Sequence, residues 1–397
     1  MSTPRESNLE AEGREGYLRL DPHKHRRDEI LNVVTETGRL RKTPAEASLQ
    51  VYLTAARWIP YAIDPFVNIT CVFWVGTEMG FEAEAAPETS SEDFEAVFTS
   101  SLTESEISMY RKYYQVILAL APGFPIHMTR LLAHEDTDAL SVFLKRITQA
   151  ANSARTDDAG SLRYVGLNYV PRELHKDALI PPIPKQATKA DRGFNHPMLA
   201  RLLCPRKLLE QFDEDPNKFI ASVQNGSIIV AAWDWPAFLY EHETYDRSAL
   251  DKGLCRGYFL LRVGRHLITS PSSATKSTPG SCSAKPSKAK IHGITKVTPY
   301  LIAYFALHAR FLISTMETWG REDGSFDMQQ FYQNIVNLFE DDLECQWSID
   351  TLKWWNERIF GPQSTASATR KRSMLQDPDS DASLLSIQRA SRRQRAD

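Results

Sequence analysis

The chain has 397 residues, 42% of them hydrophobic, with eight Trp, fourteen Tyr and eighteen Phe. That is enough for one large or two small packed domains. A formal net charge of -3 argues against a surface that coats nucleic acid along its whole length. The five cysteines are scattered and never spaced as CxxC, which gives neither a disulfide framework nor a zinc site and fits free thiols in a reducing compartment.

The first thirty residues are too charged for a secretory signal. The longest apolar run, Leu301 to Ile313, contains His308 and Arg310 and is too short to cross a bilayer. The expectation is a soluble intracellular protein without membrane contact.

Residues 1–44 are polar and have no apolar period, which predicts a disordered N-terminal segment. A helix follows with Leu49, Tyr52, Leu53, Ala56 and Ile59 on one face, ended or bent by Pro60. Residues 61–80 are apolar and aromatic, with no period that separates helix from strand. After an acidic loop, Thr103 and Glu106 have capping-box spacing. Ile107, Tyr110, Tyr114, Ile117 and Leu118 then form a helical stripe up to Pro122-Gly123. Leu140, Phe143, Leu144, Ile147 and Ala151 mark the next helix, and "RTDD" (155–158) can cap a further short one carrying Leu162 and Val165.

Residues 169–200 are proline-rich and read as an irregular strap. Asp215-Pro216 opens a short helix that Asn225-Gly226 closes. "SIIVAAWDWPAFLY" (227–240) is the one convincing strand candidate, which Pro236 ends or confines to an edge. Its aromatics are expected in the core. Leu254, Tyr258, Leu261 and Leu267 mark a helix running into Ser270. Thr298-Pro299 starts another that is apolar nearly all round, so it should be central and buried. Two amphipathic helices, one with Phe331, Ile335, Leu338 and Phe339 and one with Leu352, Trp355 and Ile359, close the core.

The fold class is therefore mainly α. One irregular helical domain (45–362) has a central buried helix and at most a small strand element. It carries a mobile low-complexity loop (274–288) and is flanked by disordered termini, the second a basic tail (363–397).

The stretch "HLITSPSS", the loop after it and "KIHGITKVTP" supply a candidate pocket: His266, Ser270, Ser272 and His292, with Asp234 as an acidic neighbour from the strand. A serine nucleophile needs a rigid elbow, and GxSxG is absent. A structural joint between two helices is the stronger reading. "AHEDTDA" (His134, Glu135, Asp136, Asp138) and "YEHETYD" (Glu241, His242, Glu243, Asp246) hold hard ligands without metal-motif spacing, so no metal is assigned. Neither GxxxxGK nor GxGxxG occurs, and the sequence names no cofactor.

The tail carries seven Lys/Arg against four Asp/Glu. Its clusters, Arg370, Lys371 and Arg372, then Arg392, Arg393 and Arg395, suit a nuclear import signal or contact with a phosphate backbone. A merely solubilising tail is the alternative. Ser373 and Ser391 lie where phosphorylation would cancel local positive charge.

"DRGFNH" (191–196), "LLCP" (202–205), "WPAFLY" (235–240), "ITSPSS" (268–273), "KIHGITKVTP" (290–299), "NLFED" (337–341) and "WWNERIF" (354–360) occur in this order. In order and spacing they resemble a family of uncharacterised proteins from mushroom-forming fungi, domain of unknown function 6698, across roughly residues 150–361. "IDPF" (63–66) resembles its upstream helical part. The resemblance implies no activity, cofactor or catalytic residue. It does imply that "SPSS", "IHG" and "VTP" belong to a shared pattern with a variable insert between its halves.

The favoured expectation is a non-enzymatic binding protein, nuclear rather than cytoplasmic. Its partners would be nuclear import factors or nucleic acid through the tail, or other proteins. The alternative is an enzyme of unknown class with a pocket near the SPSS and IHG segments.

Overall fold

A computed structural model describes residues 44–81, 102–121, 123–132, 137–174, 176–184, 187–242, 246–276, 286–342 and 344–361. Among them are fourteen α-helices and one two-stranded sheet, so the chain is mainly α. The predicted disordered termini, apart from residue 44, and residues 277–285 of the predicted loop lie outside the described residues. The described residues form two compact units, one within Met1–Ile59 and Asn68–Asn152, the other within Pro60–Val67 and Ser153–Asp397. No helix among them is long and apolar enough to cross a membrane.

In chain order the first helices are α1 (Pro44–Ala56), α2 (Ile59–Ala62), α3 (Ile69–Phe81), α4 (Glu104–Leu120), α5 (Phe124–Leu132) and α6 (Thr137–Val165). The segment whose pattern left its type open becomes α3, started by Asn68, whose side chain accepts from the Thr70 amide at 3.0 Å. Thr103 and Glu106 form the predicted capping box on α4. In this unit Tyr52 packs on Phe124 and Phe143, and Phe73 meets Tyr114 edge-on.

The two helices expected between 139 and 165 are one 29-residue helix, α6. Its buried positions Leu140, Phe143, Leu144, Ile147, Ala151, Ala154, Asp158 and Leu162 recur every three or four residues without a break. No proline interrupts them, so the caps that "RTDD" offers are never needed.

The second unit, which also takes in α2 from Pro60 and α6 from Ser153, adds α7 (Pro197–Leu203), α8 (Leu209–Glu214), α9 (Pro216–Gln224), α10 (Tyr258–Ile268), α11 (Lys288–Ile291), α12 (Pro299–Ile313), α13 (Met328–Glu340) and α14 (Gln346–Phe360). Every residue of α12 from Leu301 to Ile313 is buried, as its apolar circumference requires. Thr298 caps its start by accepting from the Leu301 amide at 3.3 Å. α10 and α13 pack against α12. Gly264 of α10 makes the approach possible, because a Cβ there would stand 2.7 Å from the Phe305 ring. Trp355 of α14 packs on Phe305 and donates its indole N–H to the Cys255 carbonyl at 2.8 Å.

The last carbonyls of α12 have no intrahelical partner. The irregular strap supplies them: Lys189 Nζ donates to Phe311 O, and Arg192 Nη1 donates to Leu312 O at 2.6 Å. Two buried cations thus complement the negative end of the helix dipole. This gives "DRGFNH" a structural task.

The strand expected over 227–240 does not form. The segment runs through turns and a 3₁₀ piece at Ala237–Leu239, with one isolated bridge between Pro205 and Pro236. Two prolines cannot donate to a ladder, and side chains satisfy carbonyls here instead. Ser325 donates to Val230 O, and Asn334 donates to Ala232 O. Trp233 is 69% exposed, against the expectation that the aromatics of this stretch pack inside, whereas Phe238 and Leu239 are buried. The strands that do form are β1 (Glu322–Asp323) and β2 (Phe326–Asp327), antiparallel around Gly324 at φ +63°.

Candidate functional site

His266, on α10, is 5% exposed. Its Nδ1 lies 2.8 Å from the Tyr169 hydroxyl and its Nε2 3.0 Å from Ser161 Oγ. A histidine between a serine and an orienting group has the outline of a nucleophile pair. The protons favour a different role. Ser161 Oγ donates to the Asp158 carbonyl at 2.8 Å, so toward His266 it accepts. On that assignment Nε2 carries the ring proton and Nδ1 accepts from Tyr169. Burial pulls the ring down to about 4, so it is neutral at pH 7. The ring ties α10 to α6 and to the 3₁₀ turn Gly166–Tyr169.

The other predicted residues lie elsewhere in the hydrogen-bond pattern. Ser270 and Ser272 bond each other at 3.0 Å beside the Pro271–Ser273 turn. His292 is the C-cap of α11, its amide donating to the Lys288 and Lys290 carbonyls. Asp234 is paired with Lys207. His134, Glu135, Asp136, Glu243 and the tail residues Arg370, Lys371, Arg372, Arg392, Arg393 and Arg395 fall outside the described residues. Among the described residues no three His, Cys, Asp or Glu side chains are placed to hold a metal ion. Cys71, Cys204, Cys255 and Cys345 are free thiols.

A polar cluster that the sequence reading passed over lies around Asp158, which has no exposure to solvent. Tyr304 of α12 donates to its Oδ2 at 2.9 Å, Tyr61 donates to the same oxygen, and Lys288 of α11 pairs with Oδ1. Lys288 also donates to the Tyr61 hydroxyl at 2.9 Å. A buried carboxylate is tolerable only when paired and hydrogen-bonded, and this one is both. The signal was present in "RTDD", where Asp158 continues the apolar face of α6.

One turn beyond Tyr304, His308 has no exposure to solvent, and neither ring nitrogen has a hydrogen-bond partner among the described residues. The Tyr304 and Trp319 rings stand 4.5 and 4.8 Å from it, centre to centre. Burial first, then the charges of Lys288, Arg155 and Lys189, hold His308 well below the usual histidine range. It is a neutral donor–acceptor.

His308 lines a cavity of about 300 Å³, walled by the α6 face from Arg155 to Arg163, by Lys189, Phe311 and Leu312, and by Glu317 to Trp319. That volume is at the small end of the range for small-molecule sites. Arg155 lies over the Trp319 ring and donates to the Pro65 carbonyl at 2.7 Å. Burial, with Arg192 and Arg163 nearby, pulls the Lys189 ammonium down to about 7 against the opposing pull of Glu317.

Among curated proteins and solved structures, nothing matches the chain. A family model does match, over residues 149–360, which is 212 of 397 positions and takes in α10, α12, α13, α14 and the cavity walls. The chain belongs to the family of unknown function DUF6698.

Proposed function

We propose that this protein is a non-enzymatic binding protein whose family domain holds a small molecule in the cavity at His308. The observation that carries the reading is a fully buried imidazole with both nitrogens unpaired on a cavity wall. Leaving such groups unsatisfied costs about 1–3 kcal/mol each, and a bound molecule or ordered water removes that cost.

Gly160 gives a test that spares the fold. It lies in helix α6 on the cavity wall, and a Cβ built on it meets nothing within 4 Å. Gly160→Leu should therefore keep the helix and obstruct the cavity. The full-length protein and this variant would be screened by thermal shift against benzylamine, indole and indole-3-carboxylate. Stabilisation of the wild type alone supports the reading. No shift with any of the three, or equal shifts in both proteins, removes it.

The basic tail supports a second, independent part of the proposal: an intracellular, nuclear location, with import factors or nucleic acid as partners. Its support is the charge of the Arg370–Arg372 and Arg392–Arg395 clusters. Deleting residues 363–397 should redistribute a fluorescent fusion from nucleus to cytoplasm. An unchanged distribution ends the targeting claim.

A further inference from the structure

We infer that the cavity at His308 selects an anion, specifically the carboxylate of a small flat aromatic acid. The inference deepens the small-molecule reading above and rests on it.

The polar atoms left without partners around the cavity are mostly donors. Arg155 Nε and Trp319 Nε1 are buried N–H groups with no acceptor, and His308 adds one more N–H whichever tautomer it adopts. The lining side chains that carry oxygen, Thr156, Glu317 and Thr318, are all exposed, so the buried unpaired atoms of the wall are nitrogens. A cationic ligand would bring further donors to a site that already has too many. A carboxylate brings two oxygens able to accept from several of these groups at once.

The charges agree. Arg155, Arg163 and Lys189 face a single acidic residue of the lining, Glu317. Its carboxylate is already engaged: it accepts from the Lys189 amide at 2.6 Å and lies 3.6 Å from Arg163. Lys189 Nζ spends two of its three hydrogens on the Phe311 and Met316 carbonyls, which leaves one. Near pH 7 Lys189 is only partly protonated, but Arg155 and Arg163 alone outnumber Glu317, so positive charge is in excess at the cavity.

The shape of the ligand follows from the walls. Phe311 and Trp319 lie with ring centres 5.2 Å apart, and Ala159 and Leu162 of helix α6 add further apolar lining. An aromatic ring is the compact apolar group that such walls accept. The cavity volume limits the whole ligand to a ring system and its acid group.

The test compares indole-3-carboxylate with indole-3-carboxamide, which keeps shape and size but removes the charge. Binding to the full-length protein would be measured by calorimetry. The expected result is at least a tenfold preference for the carboxylate, reduced by added salt and by Arg155→Met, with neither compound binding to Gly160→Leu. Equal affinities, or a preference for the carboxamide, would overturn the anion assignment and leave the cavity a neutral-ligand site. If neither compound binds and no fragment of the thermal-shift set does, the cavity holds water alone, and both readings fall together. The wild-type comparison decides the point even if Arg155→Met fails to fold.

Discussion

Tyr304 donates to Asp158 across 2.9 Å, joining the central helix α12 to α6 at a carboxylate that water does not reach. Lys288 supplies the balancing charge, and it is the less buried partner, its side chain 36% exposed against 0% for Asp158. The two halves of the pair should therefore be unequal. Lys288→Met leaves an ionised carboxylate buried with only two hydroxyl donors, which should cost about 3–5 kcal/mol. Asp158→Asn leaves an ammonium that can rehydrate, and should cost about 2 kcal/mol. Urea unfolding of both variants checks the order. A larger loss for Asp158→Asn would show that Lys288 contributes little.

Arg192 should matter to stability without touching any ligand. Its guanidinium donates to Leu312 O at 2.6 Å and to Arg163 O at 2.9 Å. Arg192→Met keeps much of the stem but leaves both carbonyls without that donor, so about 2–3 kcal/mol should be lost. The melting temperature is the readout. A change under about 0.5 kcal/mol would mean that the end of α12 finds other donors.

Two glycines should respond in opposite ways to alanine. At Gly257 a Cβ would overlap the Phe238 carbonyl oxygen, and the Gly257 amide is already fixed on Leu239 O at 3.0 Å. Gly257→Ala should cost more than about 3 kcal/mol or abolish soluble expression. Gly160 sits in helix α6 with open space around its missing Cβ, so Gly160→Ala should stabilise by about 0.5–1 kcal/mol. Thermal unfolding of the pair measures both.

Acid should weaken the fold through His266. Its folded pKa is depressed from 6.5 to about 4 by burial, so the unfolded chain takes up a proton first as pH falls. The stabilising contribution is complete above about 6.5, falls as pH drops through the window and is gone below about 4. The full swing is about 3 kcal/mol. His266→Asn removes this component, so the difference between wild-type and variant stability should shrink from pH 7.5 to pH 4.5. A difference that stays constant would show that the ring is not shielded as the packing indicates.

Local chemistry in the sequence determined much of this protein. The Thr103 and Thr298 caps, Asp215-Pro216 at the start of α9 and the nearly all-apolar circumference of α12 depend on neighbours three or four residues away, and each formed as its spacing requires. The strand over 227–240 fails because a strand needs another backbone beside it, which is not written locally. The continuity of α6 is local, an unbroken apolar period without proline that outweighs the cap offered by "RTDD".

The sites show the same division. The sequence singled out His266 but paired it with serines a few residues away, whereas its partners, Ser161 and Tyr169, are about a hundred residues distant. His308 was visible only as a polar interruption in an apolar run. Tertiary packing alone placed it on a cavity beside Arg155, Lys189 and Trp319, because residues far apart in sequence become neighbours only when helices bury their shared faces.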